Sequence, residues 1–337
     1  MDVKVSSVVV ILVAAASLVV AVAGMRAASA IINPFLLAVF LASLCAPPLY
    51  WLQRRGIPNG LAVAIILLGL LVAVLLLMVF VGRSVNNMSQ QLPAYQERLA
   101  AIINHAVAWL TSLGVDMSKV PLTDYFSPGK IMRLLYYGVS MVKGLFTNMF
   151  LVFLIVLFIM IEAAGFPQKL QAAFPDPEKT LGHFRAMTES VNRYMGVKAI
   201  FSSVTGVSVW ILLALIGVDF AGTWGLLAFL LNFIPNIGSI IAAVPAILLA
   251  LIQLGWGSAL LTLLVYLVVN ITIGNFLEPR FMGRRLGLST LVVFLSLLFW
   301  GWVLGPIGMV LSVPLTMIAK IALAANEDSR WVAVMLE

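Results

Sequence analysis

Seven long stretches without a charged residue limit the fold of this chain more than any other feature of its sequence. They are residues 5–25, 27–53, 56–82, 144–161, 199–218, 221–277 and 286–319. A helix of about 20 residues crosses the hydrocarbon core of a bilayer, so apolar stretches of about 18 or more residues are typical of membrane spans. The sequence therefore predicts an all-α polytopic membrane protein with about eight membrane segments, some of them broken or re-entrant.

The composition excludes a soluble protein. Hydrophobic residues make up 63% of the chain and charged residues 10%, whereas soluble domains carry about 25% charge. The net charge of +7 does not point to nucleic acid, because the basic residues lie in short loops between spans, as the positive-inside rule predicts. We expect the lipid bilayer as a partner and no nucleic acid. The single cysteine, Cys45, lies within a span and supports no disulfide framework.

The distribution of charge along the chain predicts its topology. Residues 1–82 would form three spans, and residues 83–143 a small, helical, periplasmic segment. Residues 144–198 would contain the fourth span and a basic cytoplasmic helix, followed by a transport core (199–325) and a cytoplasmic tail (326–337). Both termini would then lie in the cytoplasm.

The periplasmic segment contains a heptad-like seam, which is apolar residues at alternating spacings of three and four. Its members are Val85, Met88, Leu92, Tyr95, Leu99, Ile102, Ala106 and Trp109. Pro93 interrupts the seam, and we expect helix on either side of it. The seam could join subunits outside the membrane, or it could pack on its own chain.

The transport core is interrupted first at residues 233–239, where Pro235 removes a backbone donor and Gly238 loosens the helix. The apolar pieces on the two sides, about 10 and about 16 residues long, are short for a full crossing. We therefore expect a re-entrant hairpin that enters and leaves on the outer side. This arrangement also places Arg280 and the arginines after it in the cytoplasm.

A second interruption follows at residues 305–308, and the residues after it resemble those after the first. Residues 237–245 match residues 307–314 with one residue deleted, and a Trp-Gly pair precedes each break. Paired, interrupted segments of opposite orientation indicate an inverted repeat around a substrate site near the midplane. The alternative is chance, because Gly and Pro are common in membrane helices.

The candidate solute route consists of neutral residues near the first break and in the next helix, most of them polar. An unpaired polar group in lipid is costly, so such residues need a partner or a function. The candidates are Asn232, Pro235, Asn236, Gly238, Ser239, Asn270 and Asn275. They would suit a small, neutral, polar solute. The alternative is that each asparagine only joins one helix to another.

Two charged residues complete the candidate set. We expect Glu278 and Arg280 to form an ion pair at the membrane surface, with a proton or cation relay through Glu278 as the alternative. No acidic residue lies clearly in the middle of a span. His105 and His183 have no partner at ligand spacing, and no phosphate-binding lysine motif or catalytic triad is present. We therefore expect no metal, no cofactor and no enzymatic activity.

Three motifs carry a resemblance to a known family. They are residues 233–239 (FIPNIGS), residues 275–289 (NFLEPRFMGRRLGLS) and residues 299–309 (FWGWVLGPIGM). Together they resemble the autoinducer-2 exporter family of bacterial membrane proteins, the PerM-like proteins, most strongly over residues 224–320. The positions that match the motifs are Pro235, Gly238, Glu278, Pro279 and Gly283.

The resemblance implies a function that the spacing of residues does not. It implies ATP-independent export of a small signalling furanone, autoinducer-2, across a Gram-negative inner membrane. It also implies a homo-oligomer, with a pentamer as the candidate. Because some relatives are described as sodium/proton antiporters, cation/proton exchange is the first alternative function. A non-transporting membrane scaffold built on the outer seam is the second.

Overall fold

The computed structural model describes residues 7–113, 129–130, 132–133, 136, 149–163, 169, 172, 177–235, 237–282, 287–325 and 327–336. Every regular element within these ranges is a helix, which confirms the predicted all-α fold. The predicted motif position Gly283 and most of residues 114–148 lie outside the described residues.

Eleven α-helices can be labelled in the described part of the chain, together with one π-helix. They are α1 (Ser7–Ala27), α2 (Ser29–Arg54), α3 (Asn59–Ser112), α4 (Met149–Glu162), α5 (Pro177–Ile216), α6 (Ala221–Leu231), α7 (Gly238–Leu254), α8 (Trp256–Val269), the π-helix (Asn270–Leu277), α9 (Glu278–Met282), α10 (Thr290–Ala324) and α11 (Arg330–Met335).

The described helices have the length and the surface of membrane spans. Five segments are long and apolar enough to cross a bilayer: Ser29–Arg54, Asn59–Ser112, Met187–Ile216, Trp256–Phe281 and Thr290–Ala324. Large apolar side chains lie exposed along them, among them Ile31, Leu68, Leu215, Leu263 and Leu298. Exposed apolar surface of this extent would cause aggregation in water, whereas lipid tails cover it in a membrane.

The chain forms two compact units that draw on separate stretches of sequence. Unit 1 consists of Met1–Val63, Phe150–Met195 and Leu286–Glu337. Unit 2 consists of Ala64–Met149 and Gly196–Arg285. Each unit contains one of the two interrupted segments that the sequence singled out.

In unit 2, α6 and α7 pack on each other as the first hairpin. Residues 232–237 connect them, so the predicted order of helix, break and helix is confirmed. Gly238 begins α7 so close to the end of α6 that a Cβ there would lie 1.8 Å from the Leu231 carbonyl oxygen. Only glycine permits this approach.

In unit 1, α10 also folds back on itself and forms the second hairpin. Its backbone leaves helical geometry at Gly305 (φ 67°, ψ −149°), a conformation that glycine tolerates. The Trp300 indole N–H donates to the Thr316 hydroxyl across 3.0 Å. In a straight helix these two residues would be about 24 Å apart, so the two arms must be antiparallel.

The two hairpins close in the same way at both ends. At the tip of the second hairpin, a Cβ on Gly308 would lie 2.0 Å from the Trp300 carbonyl oxygen. In the same way, a Cβ on Gly238 at the tip of the first hairpin would lie 1.8 Å from the Leu231 carbonyl oxygen. At the open ends, Gln253 Nε2 donates to the Gly217 carbonyl (3.1 Å) and Lys320 Nζ donates to the Gly287 carbonyl. The similarity between the breaks therefore has a structural basis. Their opposite orientation in the membrane stays a prediction.

The heptad-like seam lies on α3, which continues as one helix through Pro93 rather than stopping there. Met88, Tyr95 and Leu99 are buried within the chain, whereas Trp109 is exposed. Packing on its own chain, one of the two interpretations of the seam, is thus confirmed as far as Leu99.

Candidate functional site

A polar face on α5 marks the candidate site in unit 2. Lys198, Ser202 and Thr205 are all buried, and their spacing of four and then three places them on one side of the helix. Further along α5 the same face is apolar, with Val209 and Leu213 fully buried. Buried polar groups in a membrane helix need partners, and two of these three have partners on other elements.

The first contact joins α5 to the break of the first hairpin. The Asn232 amide nitrogen (Nδ2) donates to the Ser202 hydroxyl oxygen across 3.0 Å, and both side chains are buried. This bond fixes the first residue after α6 against α5. It also uses one of the two amide hydrogens of Asn232, so the rest of its hydrogen-bonding capacity is not consumed by this contact.

The second contact is a buried ion pair between α5 and α9. Lys198 Nζ lies 2.5 Å from Glu278 Oε1, and the two side chains are only 8% and 9% exposed. Removing two charges from water is costly, and their attraction repays the cost only when both are present. We call Lys198, Ser202, Thr205, Asn232 and Glu278 the polar cluster.

The π-helix leads directly into Glu278. The Glu278 backbone N–H donates to the Ile273 carbonyl, five residues earlier, which is the widened pattern of a π-helix. Pro279 follows, and because it has no N–H it could not bond the Asn275 carbonyl in an α-helix. π-Helical segments are rare and occur frequently at functional sites.

The predicted site residues fall into three groups. Asn232, Gly238 and Glu278 are buried, and two of them belong to the polar cluster. Half-buried positions are Pro235, Ser239 and Asn270, whereas Asn275 and Arg280 are exposed. Asn236 lies outside the described residues.

The prediction that Glu278 forms an ion pair with Arg280 is wrong. Glu278 pairs with Lys198, which comes 80 residues earlier, rather than with Arg280. The Arg280 guanidinium lies over the Phe276 ring instead, 5.9 Å from its centroid. Because α9 continues the helix from Glu278, two residues only two positions apart point in different directions. Arg280 therefore stays at the surface while Glu278 is buried.

Lys198 and Ser202 were missed as site residues. The sequence offered a weak signal for Lys198, which is the last charged residue before the charge-free stretch 199–218. Ser202 follows one helical turn later on the same face. Neither position reveals its partner, because those partners lie on α9 and at the first break.

A second network closes the open end of the first hairpin. The Asp219 carboxylate accepts from the Tyr95 hydroxyl (2.6 Å), and the Asp219 backbone N–H donates to Gln253 Oε1 (2.8 Å). The Trp224 indole N–H donates to the Asp219 carbonyl (3.0 Å). The network attaches the C-terminal half of α3 to the hairpin.

The polar cluster provides hydrogen-bonding groups that could recognise a solute. Within the described ranges, no three His, Cys, Asp or Glu side chains lie close enough to hold a metal ion. The polar cluster offers an amide, two hydroxyls and an ion pair with no net charge. Such groups can exchange hydrogen bonds with a neutral solute.

Comparison with known proteins places these features in a family. The profile described as "AI-2E family transporter" matches residues 11–328. The AI-2 transport protein TqsA of Escherichia coli (strain K12) is 42% identical over 95% of this chain and 93% of its own length. The protein YhhT of the same strain, also named as a transport protein, is 37% identical over 97% of this chain and 93% of its own length. A transport protein of Borreliella burgdorferi (strain ATCC 35210 / DSM 4680 / CIP 102532 / B31) is 32% identical over 88% of this chain and 82% of its own length. The chain belongs to the AI-2E family of membrane transporters.

Proposed function

We propose that this transporter exports autoinducer-2, a small polar signalling molecule, across the bacterial inner membrane without ATP hydrolysis. The observation that carries the proposal is the similarity to TqsA, a protein named for AI-2 transport. This similarity extends over 95% of the chain. The polar cluster supports it, because neutral donors and acceptors inside an apolar unit suit a neutral polar solute.

The proposed route passes the tip of the first hairpin. Asn232 and Ser239 flank the break there, and the backbone groups freed at a broken helix can bind solute. Asn270 adds a half-buried carboxamide from the start of the π-helix. In this proposal, both termini lie in the cytoplasm, and several copies of the chain assemble as a homo-oligomer. A mass measurement of the protein in nanodiscs tests that assembly.

Solute counterflow tests the proposed substrate. The purified protein is reconstituted in liposomes loaded with unlabelled autoinducer-2, and entry of the labelled compound is followed. We expect entry well above that of protein-free liposomes, unchanged by pH or sodium gradients and suppressed by excess unlabelled compound outside. Entry no faster than in protein-free liposomes would contradict the proposal.

The buried ion pair favours cation/proton exchange as the second candidate function. A carboxylate buried beside a lysine in a membrane unit is a group whose charge a proton or cation can change. Liposomes containing a pH-sensitive dye would then show sodium-dependent proton flux. Glu278→Gln should abolish this flux, and Glu162→Gln is the matched control, because Glu162 forms an exposed pair with Lys169. Without any such flux in the wild-type protein, this candidate fails.

A further inference from the structure

Two buried hydroxyl groups on α8 have no hydrogen-bond partner among the described residues. The Thr262 side chain is 0% exposed and Tyr266 is 2% exposed, and in this part of the chain neither Thr262 Oγ1 nor Tyr266 Oη makes a hydrogen bond. The two residues are four positions apart and share one face of the helix. A buried polar group without a partner is unfavourable, so two neighbouring ones need an explanation.

Other buried polar side chains of unit 2 do form hydrogen bonds with side chains elsewhere in the chain. Thr223 donates to Ser84 across 2.8 Å, and Asn232 donates to Ser202 across 3.0 Å. A helical hydroxyl can also bond the carbonyl four residues earlier, as Ser203 does with Ala199. Thr262 does neither. Its hydroxyl and that of Tyr266 therefore keep their full capacity to donate and accept.

The helix packed against α8 is apolar and carries small side chains. α7 packs along α8, and only Gly255 separates the two helices in sequence. The buried face of α7 carries small side chains at Ala242, Ala246 and Ala250, each 0% exposed. Neither helix contains a charged residue, so the interface offers nothing to compensate a charged ligand.

We propose that the Thr262 and Tyr266 hydroxyls, with the Asn270 carboxamide one turn further along, form a binding segment for a neutral, hydroxyl-bearing solute between α7 and α8. The three positions are four residues apart in succession and lead toward the π-helix and Glu278. The segment extends the proposed route from the tip of the first hairpin along α8. The inference rests on the proposed function and names the chemistry that the solute must have.

Variants that remove each hydroxyl but keep the shape of the side chain test the proposal. Tyr266→Phe and Thr262→Val are compared with Tyr50→Phe and Thr272→Val, which change the same groups at exposed positions. In autoinducer-2 counterflow we expect each test variant to raise the half-saturation concentration about tenfold, and each control to leave it unchanged. Thermal unfolding in detergent should show no loss of stability in the test variants, because removing an unpartnered hydroxyl breaks no hydrogen bond in the solute-free protein.

The outcomes separate this inference from the proposed function. If the wild-type protein transports autoinducer-2 and both test variants keep its half-saturation concentration, the binding segment is wrong and the function stands. If the wild-type protein does not transport autoinducer-2, the proposed function is wrong, and ribose is then used as a neutral hydroxylated probe in a thermal-shift titration. Stabilisation by ribose that is lost in Tyr266→Phe would support the segment, and no difference between wild type and variant would overturn it.

Discussion

At the scale of single residues, the Lys198–Glu278 pair is the contact whose effect on stability can be predicted most directly. Both side chains are almost completely buried, so the charge that remains after neutralising one partner stays in a medium that solvates it poorly. The cost of such a change comes mainly from the unpaired partner and less from the lost attraction. Removing both charges together should therefore be milder than removing one.

A comparison of a single and a double variant of this pair is the first prediction. Glu278→Gln should destabilise the protein by about 3 kcal/mol, and Lys198→Met combined with Glu278→Gln should recover most of that loss. Thermal unfolding in detergent measures both. The control is Glu162→Gln in the exposed pair with Lys169, where we expect a change below about 1 kcal/mol. Equal losses in the single and double variants would contradict a coupled pair.

The second prediction concerns the half-buried Asn270. Asn270→Leu should lower autoinducer-2 transport severalfold while the amount of folded protein stays the same, because the change removes a hydrogen-bonding group from the proposed route. Asn275→Leu is its control, since that residue is exposed on the same π-helix. Counterflow and size-exclusion chromatography measure the two quantities. Unchanged flux in Asn270→Leu would remove Asn270 from the route.

Sequence reasoning reached some of these residues and missed others for a physical reason. Asn232 and Glu278 stood out because a polar group inside an apolar stretch is costly wherever it lies. Their partners, Ser202 and Lys198, lie on α5, 30 and 80 residues away in the chain. Helical spacing relates residues a few positions apart, so only the fold could identify these pairs.

At the scale of elements, the hairpins depend on two glycines that lie against backbone atoms. Gly238 and Gly308 each approach a carbonyl oxygen of the preceding arm so closely that a Cβ would lie 2.0 Å or less from it. Backbone cannot move aside as a flexible side chain can. The sequence predicted a break at both places from Gly and Pro. It could not predict that the second segment folds back, because that depends on contacts such as Trp300 with Thr316.

The third prediction follows from these close approaches. Gly238→Val and Gly308→Val should each destabilise the protein by about 3 kcal/mol or more, because the arms must separate to admit the side chain. The matched control is Gly69→Ala on α3, where no atom lies within 4 Å of the added Cβ. That change should be neutral or slightly stabilising. Monodisperse yield and thermal unfolding measure the difference, and a stable Gly238→Val protein would show that the hairpin tip is not tightly packed.

At the scale of the whole molecule, the charge-free stretches were sufficient to predict the fold class and insufficient to predict the division into units. Hydrophobic length identifies helices one at a time. The units combine distant stretches, so that Leu286–Glu337 belongs with Met1–Val63 while the intervening Gly196–Arg285 belongs elsewhere. This association depends on which helical faces fit together, and each face is almost uniformly apolar. The orientation in the membrane comes from the asymmetry of Lys and Arg and needs its own measurement.

The fourth prediction is the topology. Cys45 is the only cysteine, so a Cys45→Ala background permits single reporters at Ser112, at the C-terminal end of α3, and at Arg280, just after the π-helix. We predict that Ser112 is periplasmic and Arg280 cytoplasmic. Both positions are exposed. In intact spheroplasts, a membrane-impermeant maleimide should label Ser112→Cys and leave Arg280→Cys unlabelled, whereas inside-out vesicles should give the reverse. The reason is parity: if the first hairpin enters and leaves on one side, α8 crosses to the cytoplasm. Labelling of Arg280→Cys from the outside would mean that residues 221–254 cross the membrane once, and the re-entrant assignment would be wrong.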